Sequence, residues 1–319
     1  MGIDSLMISL LNGVSYALLL FLLSSGLTLI FGMMRVLNLA HGGFYMLGAY
    51  LGYSATCLLG IGFGWALILV PCALGLLGFA VDRYLIRRIG VQNPSQKHLS
   101  ELLLTYGLAL VILALVQWVW GKSAVSYVLP EALQGSAFEW RGFQFPRYRA
   151  LIMVVAVLVL VAFWAFLRYR FSGVLLKAAT QNPQMLAALG VNVPLWMSGM
   201  FALGCALAGL AGVLGGMAYV TEPMMGQSMG MLLFVVIVIG GLGSLRGAFF
   251  ASVLIGVFHS VMVSWNARLV DLLKIQNVPW DSFWNVSTAQ LAPLIPFILM
   301  VLVLWLRPQG LCGKQVRWR

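Results

Sequence analysis

Charged residues are scarce in this chain. Asp, Glu, Lys and Arg make up 8% of its 319 residues, whereas 62% are hydrophobic and the mean hydropathy is +0.98. Soluble globular domains carry about a quarter charged residues, so that class is excluded and a polytopic membrane protein is expected. Cysteine is also sparse. Cys57, Cys72, Cys205 and Cys312 lack metal-ligand spacing, and the first three lie in hydrophobic runs where a thiol packs as a small apolar group. Neither a disulfide framework nor a metal site is expected. The first residues hold Asp4 and no basic stretch, and the first apolar run is too long for a cleavable leader, so none is expected. Groupings that support catalysis are missing as well: there is no Ser/His/Asp cluster, no His-Glu-x-x-His helix and no close carboxylate pair. Gly121-Lys122-Ser123 resembles the end of a phosphate loop, but Val116 stands where that loop requires its first glycine. The chain therefore reads as neither a nucleotide-binding protein nor an enzyme.

The long uncharged intervals that remain serve as a ruler for membrane spans. Residues 5–34 carry no charge and hold one span; residues 36–81 are uncharged apart from His41 and hold two, turning near Gly60–Gly64. Single spans follow at 102–121, 150–167, 196–219, 247–265 and 289–306, with a shorter apolar run at 224–239. The expected fold is all-α, one transmembrane domain over 1–319 with about nine crossings (eight to ten), some broken or re-entrant.

Lys and Arg set the orientation, because short cytoplasmic loops are enriched in them. With the N-terminus outside and the C-terminus inside, the inner segments hold 13 basic and 2 acidic residues, and the outer segments hold 6 of each. The net charge of +11 is thus accounted for by topology, and no nucleic-acid partner is needed to explain it.

Between two spans lies a polar interval, Arg168–Val193, organised as a peg. Asn182 suits a helix N-cap, Pro183 the first helical position and Gly190 the C′ position, which predicts a helix of about two turns over Pro183 to Leu189. Its surface, Met185, Leu186, Ala188 and Leu189, is apolar, while the approach is basic through Arg168, Arg170 and Lys177. An apolar helix on a basic loop calls for a partner.

Two further stretches interrupt apolar sequence. One is Asn38, His41, Gly42 and Gly43; the other is Gly240-Gly241-Leu242-Gly243-Ser244 after the short run. Broken helices are tolerated only in protein-lined surroundings and commonly border transport pathways, so Asn38, His41, Gly42, Gly43, Gly240, Gly241 and Gly243 are the pathway candidates. Val36–Gly52 and Leu242–Gly256 also match faintly, with three identities in fifteen positions. Taken as a repeat, that match pairs the two breaks.

N-L-A-H-G-G-F-Y-M-L-G-A-Y at 38–50, R-Y-R-F-S-G with A-A-T-Q-N-P-Q-M-L-A-A-L-G-V at 168–191, and G-G-L-G-S-L-R-G-A at 240–248 resemble, in order, the permease subunits of bacterial ABC importers for branched-chain amino acids. Related permeases for urea and short amides share the pattern. The resemblance implies an inner-membrane permease whose 180–190 helix couples to a cytoplasmic ATPase, with Thr180, Asn182 and Gly190 shaping its ends. It also implies a second permease subunit, homologous or identical, and a periplasmic substrate-binding protein. ATP and Mg would be bound by the ATPase subunits, with no cofactor on this chain. The competing class is a stand-alone channel or secondary transporter for a small neutral solute. Against its ion-driven form stands an expected lack of intramembrane carboxylates.

Overall fold

The run after Asp4 forms one unbroken helix, α1 (Ile3–Met34). Its 32 residues reach roughly 48 Å, more than the roughly 30 Å of a hydrocarbon layer. The computed structural model describes residues 3–34, 36–89, 94–140, 143–169, 173–175, 178–179, 182–268, 270 and 285–313. After α1 the order is α2 (His41–Tyr53), ending in a π turn at Ser54–Leu58, α3 (Phe63–Tyr84), α4 (Pro94–Trp120) and α5 (Arg147–Tyr169). Then come α6 (Pro183–Ala188), α7 (Val193–Ala218), α8 (Met225–Gly240), α9 (Leu245–Trp265), α10 (Thr288–Leu291) and α11 (Ile295–Leu306). A hairpin of β1 (Ser136–Trp140) and β2 (Phe143–Pro146) separates α4 from α5.

Among the described residues, seven helices are long and apolar enough to cross a membrane. The other two expected crossings fall on short elements, α2 with its π turn and the 16-residue α8. Both are short for the same reason. Each begins partway along the bundle, after a segment that doubles back beside the long helix before it.

Burial divides the helices into two layers. The apolar windows of α1 and α7 are 67% and 78% buried, against 17% for α4 and α5, so the first pair is the central layer. Small residues bring those central backbones together, as expected where lipid offers no hydrophobic drive for helix association. Gly26 of α1 lies against Gly204 of α7, where an added Cβ would come within 2.7 Å of the Gly204 carbonyl oxygen. Gly13 and Gly256 close the α1–α9 seam in the same way, and Ser260 donates to the Ser9 carbonyl at 2.7 Å. α2 rests on α7 through Gly48, Gly209 and Gly212.

The two ends of the bundle collect different segments. Gly32, Gly243, Gly241 and the stretch 307–313 pack together at one end, where the Leu311 and Cys312 N–H groups donate to the carbonyls of Ile239 and Gly240. At the other end Val125 pairs with Thr221. The architecture also corrects the repeat. Long helix, return and short helix occur twice, as α1–α2 and α7–α8, and Gly42 meets Gly226 much as Gly26 meets Gly204. The partner of the break at 38–43 is therefore 219–226, and not 240–247 as the faint sequence match implies. Side-chain identity is a poor guide here, because the repeated feature is a backbone path.

Candidate functional site

The first site grows out of the return at Val36–Ala40. Non-helical backbone among apolar helices must still satisfy its polar groups. The Asn38 Oδ1 accepts from the Ala40 N–H at 3.1 Å, while the Thr105 hydroxyl accepts from the Leu39 N–H and donates to the Leu37 carbonyl. α2 then starts at His41. Its Nε2 lies 3.1 Å from the Leu23 carbonyl oxygen, and since a carbonyl only accepts, Nε2 carries the proton. Leu23 precedes the end of α1 by eleven residues, so the chain has retreated roughly 16 Å before the short helix begins.

At that level α2 and α8 pass antiparallel, first turn against first turn. A Cβ on Gly42 would collide with the Gly226 carbonyl oxygen and lie 2.9 Å from the Gly230 Cα. Gly43 faces the Ile112 side chain, at 3.4 Å and beyond. Between these turns, α4 and α11 lies a cavity of about 520 Å³, within the usual range for small-molecule sites. Its walls are mainly apolar, with Met46, Leu113, Phe234 and Met300 among them, and Asn38, His41, Gln227 and the Tyr106 hydroxyl are the polar exceptions. Asn38 and His41 are almost wholly buried, and Asn38 Nδ2 and His41 Nδ1 find no hydrogen-bond partner.

Asn38, His41, Gly42 and Gly43 thus come together. The second group does not join them. Gly240 lies against Gly247 across the α8–α9 turn, Gly241 (φ +95°) against Gly310 and Gly313, and Gly243 (φ +80°) against Gly32. These glycines allow a tight reversal under the C-terminal segment. They do not line the cavity.

The peg forms as its local chemistry dictates. Asn182 Oδ1 accepts from the Met185 N–H at 3.0 Å, Pro183 opens α6, and Gly190 takes φ +79° beyond its end. The helix stops at Ala188, one residue earlier than expected, with Leu189 as its C-cap. Leu186 also departs from expectation. It is buried against Ala179 and Val193, leaving Met185, Ala188 and Leu189 exposed. Arg168 is exposed and lies over the Trp164 and Tyr169 rings, at 5.2 and 5.8 Å. Arg170, Lys177 and Thr180 lie outside the described residues.

Sequence reading missed Asp82. This carboxylate is fully buried in the last turn of α3, at the inner end to which the charge partition assigns it. It accepts from the Ser198 hydroxyl at 2.6 Å and the Arg87 Nε at 2.8 Å, pinning α3 to the helix that leaves the peg. Its only trace in the sequence is an acid ending an apolar run, with arginine five positions on. Removing one partner of a buried pair strands the other charge. Arg87→Met should cost about 3 kcal/mol, the low end for such pairs because Arg87 keeps 24% exposure. Thermal unfolding in detergent measures this, and an unchanged midpoint would show that Ser198 alone suffices.

Comparison with known proteins covers the whole arrangement. A family model described as branched-chain amino acid transport system, permease component, matches residues 9–304. The high-affinity branched-chain amino acid transport system permease protein LivH of Escherichia coli K12 is 26% identical over 316 residues, covering 95% of this chain and 94% of its own. BraD of Pseudomonas aeruginosa, a permease protein of the same description, is 27% identical over 312 residues, covering 96% and 95%. A probable branched-chain amino acid transport permease protein LivH of Methanocaldococcus jannaschii is 25% identical over 318 residues, covering 97% and 92%. The matched range takes in the return segments, the peg and all but the outermost turns of the first and last helices, and the chain belongs to the permease component family of branched-chain amino acid transport systems.

Proposed function

We propose that this chain is the inner-membrane permease subunit of an ATP-driven ABC importer for branched-chain amino acids. The observation that carries this reading is α6: a capped helix whose inner residue, Leu186, is held by its own chain while Met185, Ala188 and Leu189 stay bare. A groove on a cytoplasmic ATPase subunit would cover them. ATP and Mg would reside on two such subunits, and hydrolysis would occur there. ATP-driven closure would move α6, and with it α5, α7 and, through Asp82 and Ser198, α3. Such motion swings a permease pair between inward- and outward-open forms, provided its contacts differ between the two states. Leu39, Tyr106, Met231 and Phe234 leave one side of the 520 Å³ cavity open. A second permease subunit would close that side, and a periplasmic binding protein would deliver the amino acid.

The test is reconstitution with cognate ATPases and binding protein, and the expected result is ATP-dependent uptake of labelled leucine. ATP-independent flux without ATPase copurification would favour a passive channel.

Orientation gives a second expected outcome, drawn from the charge partition. In a background freed of native cysteines, an impermeant thiol reagent applied outside should modify Ser136→Cys and Asp281→Cys but not Ser95→Cys or Gln315→Cys. Asp281 and Gln315 lie outside the described residues, so this experiment rests on charge alone for them. Modification at 315 would reverse the assignment.

A further inference from the structure

A second cavity, of about 390 Å³, lies at the end of the bundle away from the peg, where α1, α5, α7 and α9 converge. It differs from the first in holding a cation. Arg149 is half-buried there, donating from Nη1 to Asn12 Oδ1 and from Nε to the Tyr148 hydroxyl at 3.3 Å. No carboxylate pairs with it among the described residues. Tyr16, Tyr219 and His259 add to the polar wall, which Ser15 and Ser264 also line, with the Tyr16 ring 5.7 Å from Tyr219 and 5.2 Å from His259. Leu19, Ile152 and Met229 form an apolar wall.

These features fit one chemistry. A guanidinium offers five N–H donors in a planar fork that matches a carboxylate, and two hydrogen bonds leave part of that fork free. A cation without a carboxylate partner among the described residues, beside tyrosine hydroxyls and an aliphatic wall, suits a small zwitterion with an apolar side chain. From the transport reading above, on which this rests, we infer that the cavity binds the substrate's carboxylate, with Arg149 as anchor and Tyr16 and Tyr219 as further donors. Leu19 and Leu27, one in each cavity, are eight residues apart on α1, so the two sites sit about 12 Å apart along it. Met229 faces the second cavity and Gly226 and Gly230 the first, which makes α8 the partition between them.

The test measures binding without the binding protein, on the permease–ATPase complex in phosphatidylcholine nanodiscs. L-leucine should bind at least tenfold more tightly than leucinamide, which lacks the carboxylate. Arg149→Met should erase that preference with normal complex recovery, and Arg149→Lys should keep part of it. An assembled Arg149→Met complex that still prefers leucine overturns the inference. Should that variant fail to assemble, Tyr16→Phe and Tyr219→Phe decide, because each removes one hydroxyl: an unchanged preference in both overturns it. Arg149-dependent binding of phosphatidylglycerol, with leucine binding unaffected, would mark a lipid-headgroup site and equally overturn it. A wild-type complex that transports leucine yet shows no preference over leucinamide defeats this site alone, whereas one that does not transport leucine defeats the transport reading too.

Discussion

Gly42→Ala should reduce leucine uptake at least tenfold while the protein still reaches the membrane. One methyl is enough because of what stands opposite: the added Cβ would collide with the Gly226 carbonyl oxygen and lie 2.9 Å from the Gly230 Cα. Both obstacles are backbone, so no side-chain rotation can relieve them. α2 and α8 must separate, and overpacking of this kind costs about 1–3 kcal/mol or more. The separation would occur where the two short helices cross, at the wall of the cavity. Gly43→Ala is the control, since its new methyl meets only Ile112 at ordinary contact distance and should transport nearly as wild type. Uptake assays paired with immunoblots of the membrane fraction decide the matter. Equal uptake by the two variants would mean that the α2–α8 crossing is not part of the moving or conducting structure.

Ala188→Glu tests the peg and should produce the second large effect. Ala188 is exposed beside Met185 and Leu189, so the chain folds without burying it, and a glutamate there is harmless until a partner covers it. In a groove lined for apolar contact an unpaired carboxylate costs several kcal/mol, enough to reduce ATPase copurification tenfold or more and to abolish uptake. Leu186→Glu must behave differently, because Leu186 packs on Ala179 and Val193 within the chain itself. Its charge should destabilise the peg before any partner arrives. Wild-type ATPase recovery with Ala188→Glu would remove the main support for coupling through α6.

Local chemistry and composition were legible in the sequence. The long spans follow from uncharged runs, since in lipid every backbone polar group must be satisfied within the helix. The caps at Asn182 and Gly190 follow from residues whose preferred geometry depends on near neighbours only. The grouping of Asn38, His41, Gly42 and Gly43 was likewise visible as an interruption of apolar sequence, and its residues do share one cavity.

Other features belonged to the tertiary structure. Glycine frequency could not show that Gly42 faces a carbonyl while Gly43 faces the Ile112 side chain, nor that Gly240, Gly241 and Gly243 serve a turn away from the cavity. Nothing around Arg149 marks it out from the other arginines at helix ends. Its setting comes from Asn12 and Tyr16 of α1, Tyr219 just past the end of α7 and His259 of α9. Asp82 likewise acquires its role from Ser198, 116 positions away. The sequence by itself determined the lipid-facing composition, the spans and the capped peg, because each depends on solvent and on residues within a turn or two. Only the tertiary structure decided which backbones touch and which polar and charged groups come together, because those depend on contacts between helices far apart in the chain.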